Sequence, residues 1–267
     1  MSKIGNAIHE FQTIDAIAKE DTWLNRIHPL VKLFLTVFYI ALAVSFHKYD
    51  LTGLLGMILY PLIVFEISGL SFGDALRRLK VVLPVVCIVG ILNPFFDRTP
   101  LMAVGGTVVT GGVISMITLM IKAVLTVLAA YLMIATTSIE KICYAFRKIH
   151  VPQMIVVEIM LIYRYIMVLL AEAKRITQAY SLRAPGQRGV AFKAWGPLLG
   201  QMLLRSMDRA GELYESMLLR GFRGEFYVQG KPAKSAPSLL YLLLWTAVLT
   251  VLRVFPVMQL VGKIFVR

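Results

Sequence analysis

The stretch that decides the fold is residues 153–184, QMIVVEIMLIYRYIMVLLAEAKRITQAYSLRA. Residues 153–171 are long and apolar enough to cross a hydrocarbon core of about 30 Å, yet Glu158 and Arg164 stand inside them. The run then passes, with no glycine or proline to break it, into the polar and basic EAKRITQAYSLRA. This predicts one long helix, partly at membrane depth and partly in the cytoplasm, in preference to a span followed by a loop. Charged groups at membrane depth are costly and face protein more often than lipid, so such a helix belongs to a larger helical assembly.

The composition agrees. Of 267 residues, 58% are hydrophobic and only 16% charged, and the mean hydropathy is +0.74; a soluble domain is about half apolar and a quarter charged. The 28 Lys+Arg against 15 Asp+Glu would suggest nucleic acid in a soluble chain. Here the basic residues flank apolar spans, which the positive-inside rule explains without a nucleic-acid partner. The first thirty residues show no apolar run followed by a small-residue cleavage site, so no cleaved signal peptide is expected.

Further apolar spans are predicted at about 30–46, 51–70, 81–92 (short, with Pro84), 113–135 and 239–257. Residues 93–112, NPFFDRTPLMAVGGTVVTGG, are rich in proline and glycine and are read as a loop. From Ser138 to Ser235 there are 15 Lys+Arg against 7 Asp+Glu, whereas the loops 47–50 and 93–112 each carry one basic and one acidic residue. Basic loops mark the cytoplasmic side, which puts the N-terminus inside and, if five spans cross, the C-terminus outside. The expected fold is an all-α integral membrane protein with about five transmembrane helices and long cytoplasmic amphipathic helices. Its expected parts are an N-terminal transmembrane bundle (1–152), a cytoplasmic helical region (153–235) and a C-terminal transmembrane helix (236–267). No internal repeat is seen.

Little in the chain points to chemistry. The phosphate-cradling pattern GxxxxGK[ST] and the zinc pattern HExxH are absent. His9, His28, His47 and His150 lie on different segments and are read as surface or interfacial side chains, so no metal centre is expected. Cys87 and Cys143 form no CxxC spacing and are read as small buried hydrophobes. Lys122, Glu158 and Arg164, the charged residues read at membrane depth, fit a structural network better than a catalytic pair.

After the interrupted linker APGQRGVAFKAWGP comes a second helical segment, Leu198–Arg220. Its apolar residues Leu199, Leu203, Ala210, Leu213 and Met217 recur at spacings of three, four or seven. Arg205, Asp208, Arg209, Glu212 and Glu215 lie largely off that stripe, and Arg209 with Glu212 has the spacing of an i, i+3 pair. Both long segments end alike: Ser181-Leu182-Arg183-Ala184-Pro185-Gly186 and Leu218-Leu219-Arg220-Gly221-Phe222-Arg223-Gly224-Glu225. One arginine before a glycine is an ordinary helix terminus, favourable for the dipole. Two such endings point further, because a guanidinium at a helix tip offers a rigid donor fork to a partner's groove.

At these arginines the chain resembles the transmembrane (T) component of energy-coupling factor transporters, the CbiQ/EcfT family, and in particular its cobalt/nickel branch. The resemblance runs from IDAIAKEDTWLNRIHPLVKL through VSFHKYDLTGLL, NPFFDRTP and YRYIMVLLAEAKRI to LLRSMDRAGELYESMLLRGFRGE. It implies a non-catalytic scaffold without a cofactor, in a bacterial inner membrane. Two coupling helices would end in X-Arg-X signatures that dock into grooves of two ABC ATPase subunits, where ATP is hydrolysed. Those signatures map to Leu182-Arg183-Ala184 and Leu219-Arg220-Gly221. The Ala-Arg-Gly form often associated with such transporters is not literally present, and Pro185 follows the first signature closely. A separate substrate-binding membrane subunit would capture a cobalt or nickel ion or a vitamin. Arg205, Arg209, Glu212 and Arg223 are further candidates for partner contact. The alternatives are a self-sufficient secondary transporter or channel, which often shows repeated halves, and an intramembrane enzyme.

Overall fold

The computed structural model describes residues 5, 9, 12–13, 15–18, 20, 22–70, 72–96, 100–104, 107–184, 186, 189–224 and 235–255. Among the described residues nine helices follow a short 3-10 turn at Leu24–Arg26: α1 (Pro29–Ser45), α2 (Leu51–Gly56), α3 (Leu59–Ser68), α4 (Phe72–Phe96), α5 (Gly111–Thr136), α6 (Ile139–Lys148), α7 (Gln153–Arg183), α8 (Phe192–Leu219) and α9 (Ser235–Val254). Leu51–Ser68, Gly111–Thr136, Gln153–Arg183 and Ala236–Val254 are long and apolar enough to cross a membrane, and Pro29–Ser45 and Leu79–Pro94 are shorter apolar helices. The helical membrane architecture is therefore as expected, with α7 an unbroken helix of 31 residues. Residues 256–257 of the last predicted span lie outside the described residues.

Three readings of the sequence need correction. Residues 93–112 are not simply a loop. Asn93–Phe96 complete α4, Pro100–Val104 (β1) pairs antiparallel with Thr107–Thr110 (β2), and Gly111 and Gly112 open α5. The β-branched run Thr107-Val108-Val109-Thr110 favours a strand in spite of its glycine neighbours. Second, α4 starts at Phe72, nine residues before the predicted span, because Arg77 and Lys80 lower the hydropathy while remaining good helix formers. Third, α8 begins at Phe192, within the expected linker. Pro197 lies so near the N-terminus that it removes only the bond to the Lys193 carbonyl.

The helices sort into two compact units, Ala18–Thr137 with Pro232–Arg267, and Met1–Ile17 with Ser138–Lys231. The first holds α1–α5, the hairpin and α9 around a core with Leu35, Tyr39, Leu54, Met57, Phe65, Leu125 and Leu249 fully buried. Tyr60 bridges its aromatic centre, 4.7 Å from the Tyr39 ring and 4.8 Å, edge-on, from Trp245. α1 begins at Pro29, pre-set for a first helical turn, and its N-cap His28 accepts from Leu30 N–H through Nδ1 at 3.2 Å. Its far end is held by cations from two other helices. Lys122 Nζ donates to the Val44 carbonyl at 2.9 Å and to that of Phe46, and Arg253 Nη2 donates to the Ser45 carbonyl at 3.2 Å. These are the carbonyls a helix leaves unpaired at its C-terminus, where positive charge is favourable. Lys122 thus acts as a helix cap rather than as part of the charged network expected of it. The buried Lys32 similarly donates to the last α5 carbonyl, Thr136 O, at 2.7 Å.

In the second unit α6 lies along α7, and Tyr163 of α7 donates to Asp15 Oδ1 at 2.7 Å. Cys143 is buried on α6, as expected, and burial followed by the nearby Glu140 carboxylate pushes its thiol above the usual range. Glu158 and Arg164 are exposed on α7 and, among the described residues, neither has a hydrogen bond or ion pair.

Candidate functional site

α7 and α8 are the longest helices in the chain, and each carries a predicted arginine at its end. At the first tip α7 closes at Arg183, and the Ala184 N–H still reaches the Tyr180 carbonyl at 3.0 Å. Pro185 lies outside the described residues. The second tip is a complete Schellman closure. Arg220 is the C-cap, Gly221 takes the left-handed φ of 80°, Gly221 N–H donates to the Leu218 carbonyl at 2.9 Å and Phe222 N–H to that of Met217 at 2.9 Å. Both guanidinium-bearing side chains are exposed, and among the described residues neither has an ion-pair or hydrogen-bond partner. The leucines before them are bare as well, Leu182 at 82% and Leu219 at 90% exposed. Each tip therefore presents one apolar and one cationic side chain together on a fixed helix end.

The shafts of the two helices touch over a short stretch. Beside it runs a groove of about 660 Å³ lined by Arg175, Arg183, Arg205, Arg209 and Glu212 among others. Glu172 is its anchor. Its side chain is 14% exposed, it accepts from Arg205 Nη1 across the two helices, and it lies 3.9 Å from Arg175 on its own helix. At the turn the Tyr180 hydroxyl accepts from Ala191 N–H at 3.4 Å, which sets the start of α8 beside the end of α7.

Not every predicted relationship forms. Arg209 and Glu212 line the same groove, but among the described residues they make no ion pair with each other. Arg223 is exposed just beyond the second tip. α8 buries no residue fully. Its half-buried positions include Leu198, Met202 and Ser206; of the predicted stripe Leu213 and Met217 are half-buried, while Leu199, Leu203 and Ala210 are exposed. Glu172 and Tyr180 were not singled out from sequence. Their partners lie on the other side of a turn, and nothing local marks them. Among the described residues no group of His, Cys, Asp or Glu could hold a metal ion.

Fold and site together define a class: a multi-pass helical membrane protein carrying two long helices with exposed arginine tips. The chain belongs to the CbiQ family, described as cobalt transport protein, whose pattern matches residues 20–232. It is similar to the energy-coupling factor transporter transmembrane protein EcfT of Listeria innocua, 27% identical over 225 residues that cover 76% of this chain and 82% of the relative. It is also similar to an uncharacterized protein of Methanocaldococcus jannaschii, 26% identical over 243 residues covering 85% of this chain and 81% of that one. This makes the chain a T component of an energy-coupling factor transporter.

Proposed function

We propose that this T component couples ATP hydrolysis in two ABC ATPase subunits to a separate substrate-binding membrane subunit that imports cobalt or nickel. The reading places it in a bacterial inner membrane with the N-terminus cytoplasmic. The observation that carries the reading is the pair of exposed tips, Leu182-Arg183-Ala184 and Leu219-Arg220-Gly221, each on a long helix and each without a partner among the described residues. A guanidinium held this way is suited to a carboxylate or a row of carbonyls in a partner's groove. The adjacent exposed leucine supplies the apolar half of such a contact. On this reading ATP binding draws the ATPases together and moves the tips, and α7 and α8 carry that motion to the substrate-binding subunit. Arg209, Glu212 and Arg223 flank the path and serve as secondary contacts, while Arg205 is engaged by Glu172 across the two helices. The family description, cobalt transport protein, supports a metal cargo, and on this reading selectivity lies in the other membrane subunit.

The test is uptake of radioactive cobalt and nickel in proteoliposomes. The complete complex should accumulate one of the ions only with ATP, and this chain alone should accumulate neither. Uptake by the chain alone would establish a self-sufficient transporter instead.

A further inference from the structure

We infer that Glu172 and Arg205 form an ionic pin that sets the angle between the two long helices, so that displacement of one arginine tip is carried to the other. The inference rests on the coupling function proposed above. Geometry comes first. Because α8 starts beside Tyr180 near the end of α7 and meets Glu172 at Arg205, the two tips lie on opposite sides of the pin. Arg183 is eleven residues beyond Glu172 on α7 and Arg220 fifteen beyond Arg205 on α8, which makes arms of about 17 Å and 22 Å at 1.5 Å per residue. A rotation of about 10° at the pin would move the farther tip by about 4 Å, so control of this angle matters more at the tips than at the pin.

Packing alone constrains that angle weakly. α8 has no fully buried residue, and its half-buried positions, Leu198, Met202, Ser206, Leu213 and Met217 among them, form a single stripe whose packing is non-directional. The Glu172–Arg205 bond is directional and charge-assisted. An exposed ion pair contributes little, and Arg205 is 55% exposed, but the Glu172 carboxylate is 14% exposed and sits in the seam. Left without its cross-helix cation, it would be held in a half-desolvated place. Both residues are positioning residues. They act by holding the arms and touch no substrate.

Two measurements test the pin. In the first, nitroxide labels are placed at Leu182→Cys and Leu219→Cys in the full-length chain in nanodiscs, with Cys87 and Cys143 replaced, and the tip-to-tip distance distribution is read by pulsed electron resonance. Glu172→Gln, Glu172→Arg and Arg205→Glu should each broaden the distribution, and the exchange Glu172→Arg/Arg205→Glu should narrow it again. In the second, uptake per ATP hydrolysed is measured in the complete complex. The single variants should keep the ATPase subunits yet lose at least about fivefold in that ratio, and the exchange should restore most of it. Distributions as narrow in the single variants as in the wild type, or an exchange no better than either single variant in both measurements, would overturn the pin. Failure of the wild-type chain to recover any ATPase would instead remove the coupling function, and the nanodisc distances would still judge the pin.

Discussion

The Tyr39 hydroxyl donates to the Met57 carbonyl at 2.9 Å, in the place where a helical N–H would otherwise stand. Pro61, four residues beyond Met57, has no N–H to give that carbonyl, and the chain breaks there between α2 and α3. A neighbouring helix therefore satisfies the group that proline frees, as hydrocarbon surroundings require. Tyr39→Phe should lower stability by about 1–2 kcal/mol, because it strands the carbonyl and leaves the packing in place. Thermal denaturation in detergent measures this, and an unchanged Tm would show that the bond contributes nothing.

Lys122 is a structural residue despite its depth in α5. Its ammonium caps α1 through the Val44 and Phe46 carbonyls. Lys122→Met keeps much of the side-chain volume and removes both bonds, and should cost about 1–3 kcal/mol. The T component so altered should still recover its ATPase partners once folded. Normal stability with lost transport would instead assign Lys122 to the transport path.

Gly221 has a different dependence. At φ 80° it lies in the left-handed region, and a Cβ there would meet nothing within 4 Å, so a substitution acts through backbone strain alone. Gly221→Ala should cost about 1 kcal/mol locally, and Gly221→Asn less, because Asn tolerates this conformation. Hydrogen exchange should quicken at 217–222 while the global Tm stays fixed. Uniform exchange across the three proteins would mean that the Schellman closure does not hold the second tip.

The buried thiol of Cys143 gives a simple check on α6. Its raised pKa means that less thiolate is present at any pH below the thiol's titration than in an ordinary cysteine. Labelling with a maleimide at neutral pH should therefore be slow in the folded protein and should become fast on denaturation. Rapid labelling of the native protein would contradict the burial of Cys143 on α6.

Much of this could be read along the chain, and what could not has a common cause. The long α7 was legible because 153–183 contains no glycine or proline, so apolar and polar halves join in one helix. Arg183 and Arg220 were legible because a helix end is a local event, written in the residues beside it. The hairpin 100–110 was hidden because proline and glycine signal turns more loudly than a four-residue β-branched run signals a strand. Glu172 with Arg205, Tyr163 with Asp15 and Tyr39 with Met57 were hidden because each joins residues that only tertiary packing brings together. The face of α8 was legible only in part. Leu213 and Met217 of the stripe are half-buried, but nearer the start of the helix the half-buried positions are Leu198 and Met202, one position from Leu199 and Leu203.

The central claim is that Arg183 and Arg220 are the points at which the ATPases engage. It is tested most directly by co-expressing the chain with the ABC ATPase subunits of its transporter and comparing ATPase recovery on pull-down for wild type, Arg183→Ala, Arg220→Ala and the double variant. The account predicts recovery with wild type, reduced recovery or uncoupled hydrolysis in each single variant, and loss in the double. Equal recovery from all four proteins, with transport intact, would contradict it and leave the two arginines as helix ends only.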